Sequence, residues 1–270
     1  MRIVQKMKMI HNFANTDTAS STNNRIVVIQ IAYLVALSIW LITQGFFPSL
    51  ELIFILLASL FVWQVRFRAF LTDFAPFLLL LLGYEALRGY ADNLTPAQIH
   101  VADLIAWERA LFNGIVPAAY LQHVFLNQPY APFLDAIANT FYMSHFVVPV
   151  LAAVMLWQRE RRAYWFFMFG LILLSYAGFL TFLLLPAAPP WWATYYGYLP
   201  QGAVELTRFV FPSLIRFVSP NPLAAMPSLH AAYPAYVALY CISVWGRKAL
   251  PILVLPLGVA FSTVYLGHHY

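Results

Sequence analysis

Charge is scarce in this 270-residue chain: Asp, Glu, Lys and Arg make up 9% of it and hydrophobic residues 62%, against roughly 25% charged residues in a soluble globular domain. That balance excludes a water-soluble enzyme and points to an integral membrane protein. Cysteine is nearly absent. The single Cys241 excludes a disulfide framework, and its place inside an apolar run predicts an inert packing role. No Ser/Gly-rich linker, low-complexity tract or clear internal repeat interrupts the sequence. One membrane domain over residues 26–270 is therefore expected behind a polar cytoplasmic tail, residues 1–25. No stretch of about ten residues alternates polar and apolar, which excludes a transmembrane barrel, the only other way to satisfy a backbone in lipid. The fold class expected is all-α, a polytopic transmembrane helix bundle.

What the chain has in abundance is long apolar runs. They suit helices at 26–45, 50–65, 70–87, 132–157, 163–185, 229–245 and 249–266, which predicts about seven spans. The runs beginning at Leu50 and Leu229 fall short of the roughly 20 residues a spanning helix needs, so they borrow flanking residues or sit in a thinner bilayer. The first run lacks a small-residue cleavage site and is long enough to span, so it reads as an uncleaved anchor.

A formal net charge of +5 raises nucleic acid as a partner, but the cations follow the membrane instead. Arg2, Lys6, Lys8 and Arg25 lie in the tail, and Arg66, Arg68, Arg159, Arg161, Arg162, Arg247 and Lys248 lie in alternate turns, whereas the opposite loops hold only Arg88, Arg109, Arg208 and Arg216. The positive-inside rule then places the N-terminus in the cytoplasm. Two long loops, 88–131 and 186–228, face outward, to the cell exterior or a lumen. No nucleic-acid partner is expected.

In the first outer loop, Thr95-Pro96 reads as an N-cap followed by proline at the first helical position, and Ile99, Ala102, Ile105, Ala106 and Ala110 recur at helical spacing. An interfacial helix is expected there. The second loop opens with Pro186-Ala187-Ala188-Pro189-Pro190-Trp191-Trp192 and continues through Tyr195, Tyr196 and Tyr198. Rings of that kind suit the headgroup layer, so anchoring is the main role expected. The prolines also fix a rigid extended segment that would serve as one wall of a lipid cleft, lined by Pro189, Pro190, Trp191 and Trp192.

Two histidines carry the candidate chemistry. His230 opens the run 229–245, directed inward, and the run 249–266 returns to deliver His269. Each run is about 26 Å long at ~1.5 Å per residue, so both imidazoles come to one depth at the outer surface. Pro227 suits the first turn of the helix carrying His230, which leaves the amides of Ser228 and Leu229 unpaired and facing outward as an anion site. Ser228 either adds its hydroxyl to a phosphate or caps the helix, the commoner fate of a serine there. A lone intramembrane histidine would be bland, whereas two at matched depth favour function.

The strings Ala225-Met226-Pro227-Ser228-Leu229-His230 and Tyr265-Leu266-Gly267-His268-His269-Tyr270 resemble the second and third signature motifs of the type 2 phosphatidic acid phosphatase superfamily. Ala187-Ala188-Pro189-Pro190-Trp191 and Tyr84-Glu85-Ala86-Leu87-Arg88-Gly89 look like those of its inositol-phosphotransferase branch, which includes inositol phosphorylceramide synthases. The resemblance runs from about Tyr84 to the last residue. It implies a membrane enzyme that transfers or hydrolyses a lipid phosphate without a metal or other cofactor. In that reading His269 is the nucleophile that forms a phosphohistidine, and His230 is the acid that protonates the departing alkoxide. His268 lines the site or fills the turn.

Two departures from the family pattern bear on this reading. The aspartate that follows the attacking histidine by four residues in the family would fall past Tyr270, so the chain is expected to be a shortened form lacking the last helix and the carboxylate that orients the imidazole. It is not expected to turn over without that segment. The usual first motif, a lysine and an Arg-Pro pair that hold the phosphate, has no match either. Outer arginines must supply the charge: Arg88 first, then Arg208 and Arg216. Arg88 also follows Glu85 at i+3 and so has a simple ion pair as its alternative role. Asp92 is a candidate for sugar hydroxyls, with turn formation its default. His145, inside a span, reads as a hydrogen-bonded interhelical residue, and His100 and His123 as solvent-exposed loop residues.

The partners expected are the membrane, a phospholipid donor and either a lipid alcohol or water as acceptor. Oligomeric state is left open. Two other classes compete with the enzyme: a metal-binding membrane protein using His230, His268 and His269, disfavoured by the lack of a nearby carboxylate or thiolate in these strings, and a non-catalytic membrane protein. The sequence lacks the midplane charges and paired broken helices of a transporter.

Overall fold

The computed structural model describes residues 67–94, 98–199, 202–206 and 223–270. The polar tail, the first two apolar runs, Thr95-Pro96, Arg208 and Arg216 lie outside the described residues. In chain order the elements are α1 (Phe67–Leu94), α2 (Ala102–Leu111), α3 (Pro117–Phe125), α4 (Ala131–Arg159), α5 (Arg161–Leu184), α6 (Pro190–Tyr195), α7 (Leu229–Trp245), a 3₁₀ segment (Gly246–Leu253) and α8 (Val254–Tyr265). Among the described residues there is no strand, only isolated backbone bridges. Among the described residues three helical runs are long and apolar enough to cross a membrane: Ala131–Arg159, Arg161–Leu184 and Leu229–Tyr265.

The last of these runs doubles back on itself. Gly246 ends α7 at φ 65°, a conformation that costs glycine little, and Pro251 has no N–H to donate to the carbonyl four residues earlier, at Arg247. The return leg therefore starts as 3₁₀ turns over Gly246–Leu253 and becomes α-helical only at Val254. A single α-helix from Ala249 was expected, and the proline accounts for the difference.

α4 and α5 form a second hairpin, with α1 alongside α5. The core between them is almost wholly apolar: Phe70 and Leu81 from α1, Val150 and Leu156 from α4, Tyr164, Phe167, Met168 and Leu171 from α5, and Val237 and Cys241 from α7 are all buried. Leu79, Phe169, Leu173, Leu239 and Leu257 point outward and are well exposed, the pattern of a bundle whose outer surface meets lipid rather than water. At one end Asp73 of α1 is 2% exposed, and its carboxylate accepts from Trp157 Nε1 at 2.7 Å and from Arg161 at 2.6 Å. That cluster ties α1 to the α4–α5 turn. The catalytic candidates lie at the other end.

That end carries a small cap of short elements. The segment around Ala187 runs between two others as a backbone sandwich: His100 N donates to Pro186 O, Ala188 N to His100 O, Ala187 N to Leu223 O and Ala225 N to Ala187 O. His100 is taken up by this pairing and residues 98–101 are not helical, so α2 begins at Ala102, and Ile99, expected within it, precedes it. α1 also runs past Leu87 to Leu94, so Asp92 falls in its last turn rather than in a loop; its side chain is outside the described residues.

Candidate active site

Leu229 starts α7 with Ser228 as its N-cap, the Ser228 Oγ accepting from Ala231 N at 3.3 Å. Pro227 therefore stands one residue before the cap, not in the first turn, and a cis bond joins it to Met226. Deep packing fixes this helix end: a Cβ at Gly178 of α5 would lie 2.8 Å from Leu229 Cδ2, so only glycine lets Leu229 and the adjoining His230 approach so closely.

α8 ends in a turn with Gly267 at φ 80°, where the amides of His268 and His269 both fold back onto Thr263 O. Gln122 of α3 holds this turn. Its Nε2 donates to Tyr265 O and to Val204 O, both at 2.8 Å, and its Oε1 accepts from Val204 N at 2.8 Å. The outcome is that His269, 3% exposed, sits against His230.

His230 Nδ1 lies 2.8 Å from His269 Nε2, His269 Nδ1 lies 2.7 Å from Ala225 O, and His230 Nε2 lies 2.9 Å from the Tyr142 hydroxyl. A carbonyl can only accept, so these three contacts have one consistent assignment with both rings neutral. His269 Nδ1–H donates to Ala225 O, His230 Nδ1–H donates to His269 Nε2, and the Tyr142 O–H donates to His230 Nε2. Burial holds His269 down at about 4, partly opposed by its bond to Ala225 O, and holds His268 down at about 3, with His269 adding to the effect. Both imidazoles are thus uncharged at neutral pH, and the Nε2 lone pair of His269 points at the neighbouring ring.

A small cavity of about 40 Å³ opens on these rings. His230, His268 and His269 line it together with Arg88, Tyr84, Tyr142, Pro189 and Trp191. The arrangement provides a neutral imidazole lone pair, an N–H facing it and a guanidinium on the wall, the elements a phosphoryl displacement uses. Among the described residues no group of three or more His, Cys, Asp or Glu side chains is arranged to hold a metal ion, and His230 and His269 each have both ring nitrogens in hydrogen bonds.

A family model described as the PAP2 superfamily matches residues 102–270. The chain belongs to this superfamily. It is also 31% identical over 217 residues to a curated protein of Bacteroides thetaiotaomicron named phosphoinositol dihydroceramide synthase, the match covering 72% of this chain and 68% of that one. These findings agree with the inositol-phosphotransferase branch. No solved structure matches the chain. It is accordingly a membrane protein of a lipid phosphotransferase and phosphatase family.

The structure distributes the expected site residues unevenly. His230, His268, His269, Arg88, Pro189 and Trp191 meet around the cavity. Ser228 is engaged as a helix cap, and Trp192 turns away to pack on Tyr196 and Tyr198. Pro190 is buried as the first residue of α6. Residues 186–190 are all buried, whereas Tyr195, Tyr196 and Tyr198 are exposed. Ala225 O accepts from His269 Nδ1, so among the described residues a backbone carbonyl holds the tautomer.

His123 is exposed, whereas His100 is half-buried and bonded through Nδ1 to Asp103 at 2.5 Å. His145 bonds within its own helix, to Tyr142 O, and presents its ring edge to His230 with centroids 4.3 Å apart. Tyr142 and Gln122 were missed as site residues. The signal for Tyr142 was present: with His145 at i+3 it forms a polar pair on one face of an apolar helix.

Proposed function

We propose that the chain is a lipid phosphotransferase that works through a phosphohistidine on His269 and moves a phosphoinositol-type head group from a phospholipid to a lipid alcohol. The observation that carries this reading is the contact of His230 Nδ1 with His269 Nε2 at 2.8 Å on the wall of a cavity shared with Arg88. A phosphoryl group taking the place of that hydrogen bond has a lone pair on one side and an N–H on the other, the in-line order of nucleophile, phosphorus, leaving oxygen and acid. Arg88 offsets charge on the equatorial oxygens, aided by Arg208 and Arg216, and the Ser228 hydroxyl retains a proton to donate to phosphate. Pro189 and Trp191 form the cleft wall with Pro190 and Trp192 behind them, and Asp92 contacts sugar hydroxyls. The name of the Bacteroides relative motivates the choice of head group and of a ceramide-type acceptor.

In this reading the bundle has about seven spans, the N-terminus is cytoplasmic, α2 lies at the interface and the site opens on the outer face. The test is incubation with a phosphoinositol lipid labelled at phosphorus. An acid-labile protein adduct that disappears in His269→Ala supports the nucleophile, and an adduct undiminished in that variant refutes it. Label passing to a lipid alcohol identifies a transferase; label released to water identifies a phosphatase.

A further inference from the structure

Tyr142 is 4% exposed in the middle of a spanning helix, yet it makes three directed contacts with the site. Its ring stacks on His230 at 4.6 Å and on His268 at 4.9 Å, both nearly parallel, and its hydroxyl is 2.9 Å from His230 Nε2. His145, bonded to the Tyr142 carbonyl, closes on His230 from the side. No comparable arrangement is needed to fill space in an apolar core, where a phenylalanine would serve.

This arrangement answers a chemical difficulty in the proposed reaction. A neutral His230 that gives its Nδ1 proton to a departing alkoxide would be left as an imidazolate, which is prohibitively basic. The Tyr142 O–H pointing at its other nitrogen removes that obstacle.

We propose that Tyr142 is the proton source of the reaction, acting through His230 as a positioning and relay residue; this rests on the phosphohistidine reading above. In the first step the His269 Nε2 lone pair forms the N–P bond while the bond from phosphorus to the lipid oxygen breaks, its electron pair staying on that oxygen. The oxygen takes the Nδ1 proton of His230, and His230 Nε2 takes the proton of Tyr142. His230 remains neutral as the opposite tautomer and Tyr142 becomes a phenolate, with the Arg88 guanidinium lining the same cavity. The net transfer moves a proton from a phenol to an alkoxide, and the Arg88 guanidinium offsets the charge left on the phenolate. In the second step the acceptor hydroxyl attacks phosphorus as the P–N bond breaks. Its proton passes to His230 Nδ1, the Nε2 proton returns to Tyr142 and His269 regains its lone pair.

The test compares Tyr142→Phe with the unaltered protein on two donors that carry one head group: the natural-type phosphoinositol lipid and its p-nitrophenyl ester, whose leaving group needs no proton. A relay predicts that Tyr142→Phe loses on the order of 10²-fold or more in adduct formation from the lipid, the usual range for a general acid, and less than about threefold from the p-nitrophenyl ester. Equal loss on both donors, or loss on neither, overturns the relay. A proton inventory on the unaltered protein gives a second arm independent of folding. Rates in mixed light and heavy water should curve with two protons in flight, and a straight line overturns the proposal. His269→Ala is run alongside: adduct formation from the p-nitrophenyl ester in that variant sinks the phosphohistidine reading, which the Tyr142 results alone do not touch.

Discussion

Gln122→Met keeps the length and apolar volume of the side chain while deleting all three of its hydrogen bonds, which makes it a direct probe of how the histidine turn is held. The groups abandoned are Tyr265 O, Val204 O and Val204 N–H, each bonded at 2.8 Å. The bond to Tyr265 O is buried and those to Val204 are partly exposed. An orphaned buried carbonyl costs about 1–3 kcal/mol, whereas water partly replaces the lost partner at a half-exposed group and leaves about 0.5–1 kcal/mol each. The sum is about 3 kcal/mol. For a chain of this size that corresponds to a fall of roughly 5–10 °C in the melting temperature of the detergent-solubilised protein. Because Tyr265 stands two residues before the glycine turn that aims His268 and His269, adduct formation should fall as well. Gln122→Glu, with oxygens facing both carbonyls, should fall further at neutral pH. A Gln122→Met protein melting within about 1 °C of the unaltered one would refute the reasoning that these bonds hold the turn.

Four further outcomes are expected. Since burial holds His269 at about 4 and His268 at about 3, the nucleophile stays unprotonated well below its ordinary range, and the acid limb of adduct formation should fall near pH 4 rather than near 6.5. The unfolded chain binds protons at these histidines from about pH 6.5 downward while the folded chain does not. Their contribution to stability is therefore complete above that pH and lost on descent towards 4, as a pH series of melting temperatures would show. Gly267→Ala places a Cβ 2.8 Å from Val204 O at a residue with φ 80°. It should cost at least the roughly 1–2 kcal/mol of a left-handed alanine and reduce adduct formation, with thermal melting and labelling as the checks. Asp73→Ala orphans the buried Trp157 N–H and should cost about 1–3 kcal/mol, whereas Arg161→Ala, at a mostly exposed side chain, should have a much smaller effect in the same melting assay.

Legibility varied residue by residue. The meeting of His230 and His269 follows from two apolar runs of similar length joined by a short turn, because rise per residue converts sequence separation into depth. Arg88 was legible as an outward cation next to an apolar run. The start of α2 was not, since the backbone of His100 pairs with the proline segment, a partner more than 80 residues away in the chain. Tyr142 stood in plain view as a polar residue in a span, but nothing local says which way its hydroxyl points.

Taken alone, the amino-acid order settles the solvent this protein folds in, the helical class that follows, and the placing of two imidazoles at one end of a hairpin; composition and a fixed helical rise suffice for each. The direction of the proton chain was decided only in three dimensions. It runs from the Tyr142 hydroxyl through both rings to the Ala225 carbonyl because segments far apart in sequence bond to one another, and such pairings leave no periodic trace along the chain.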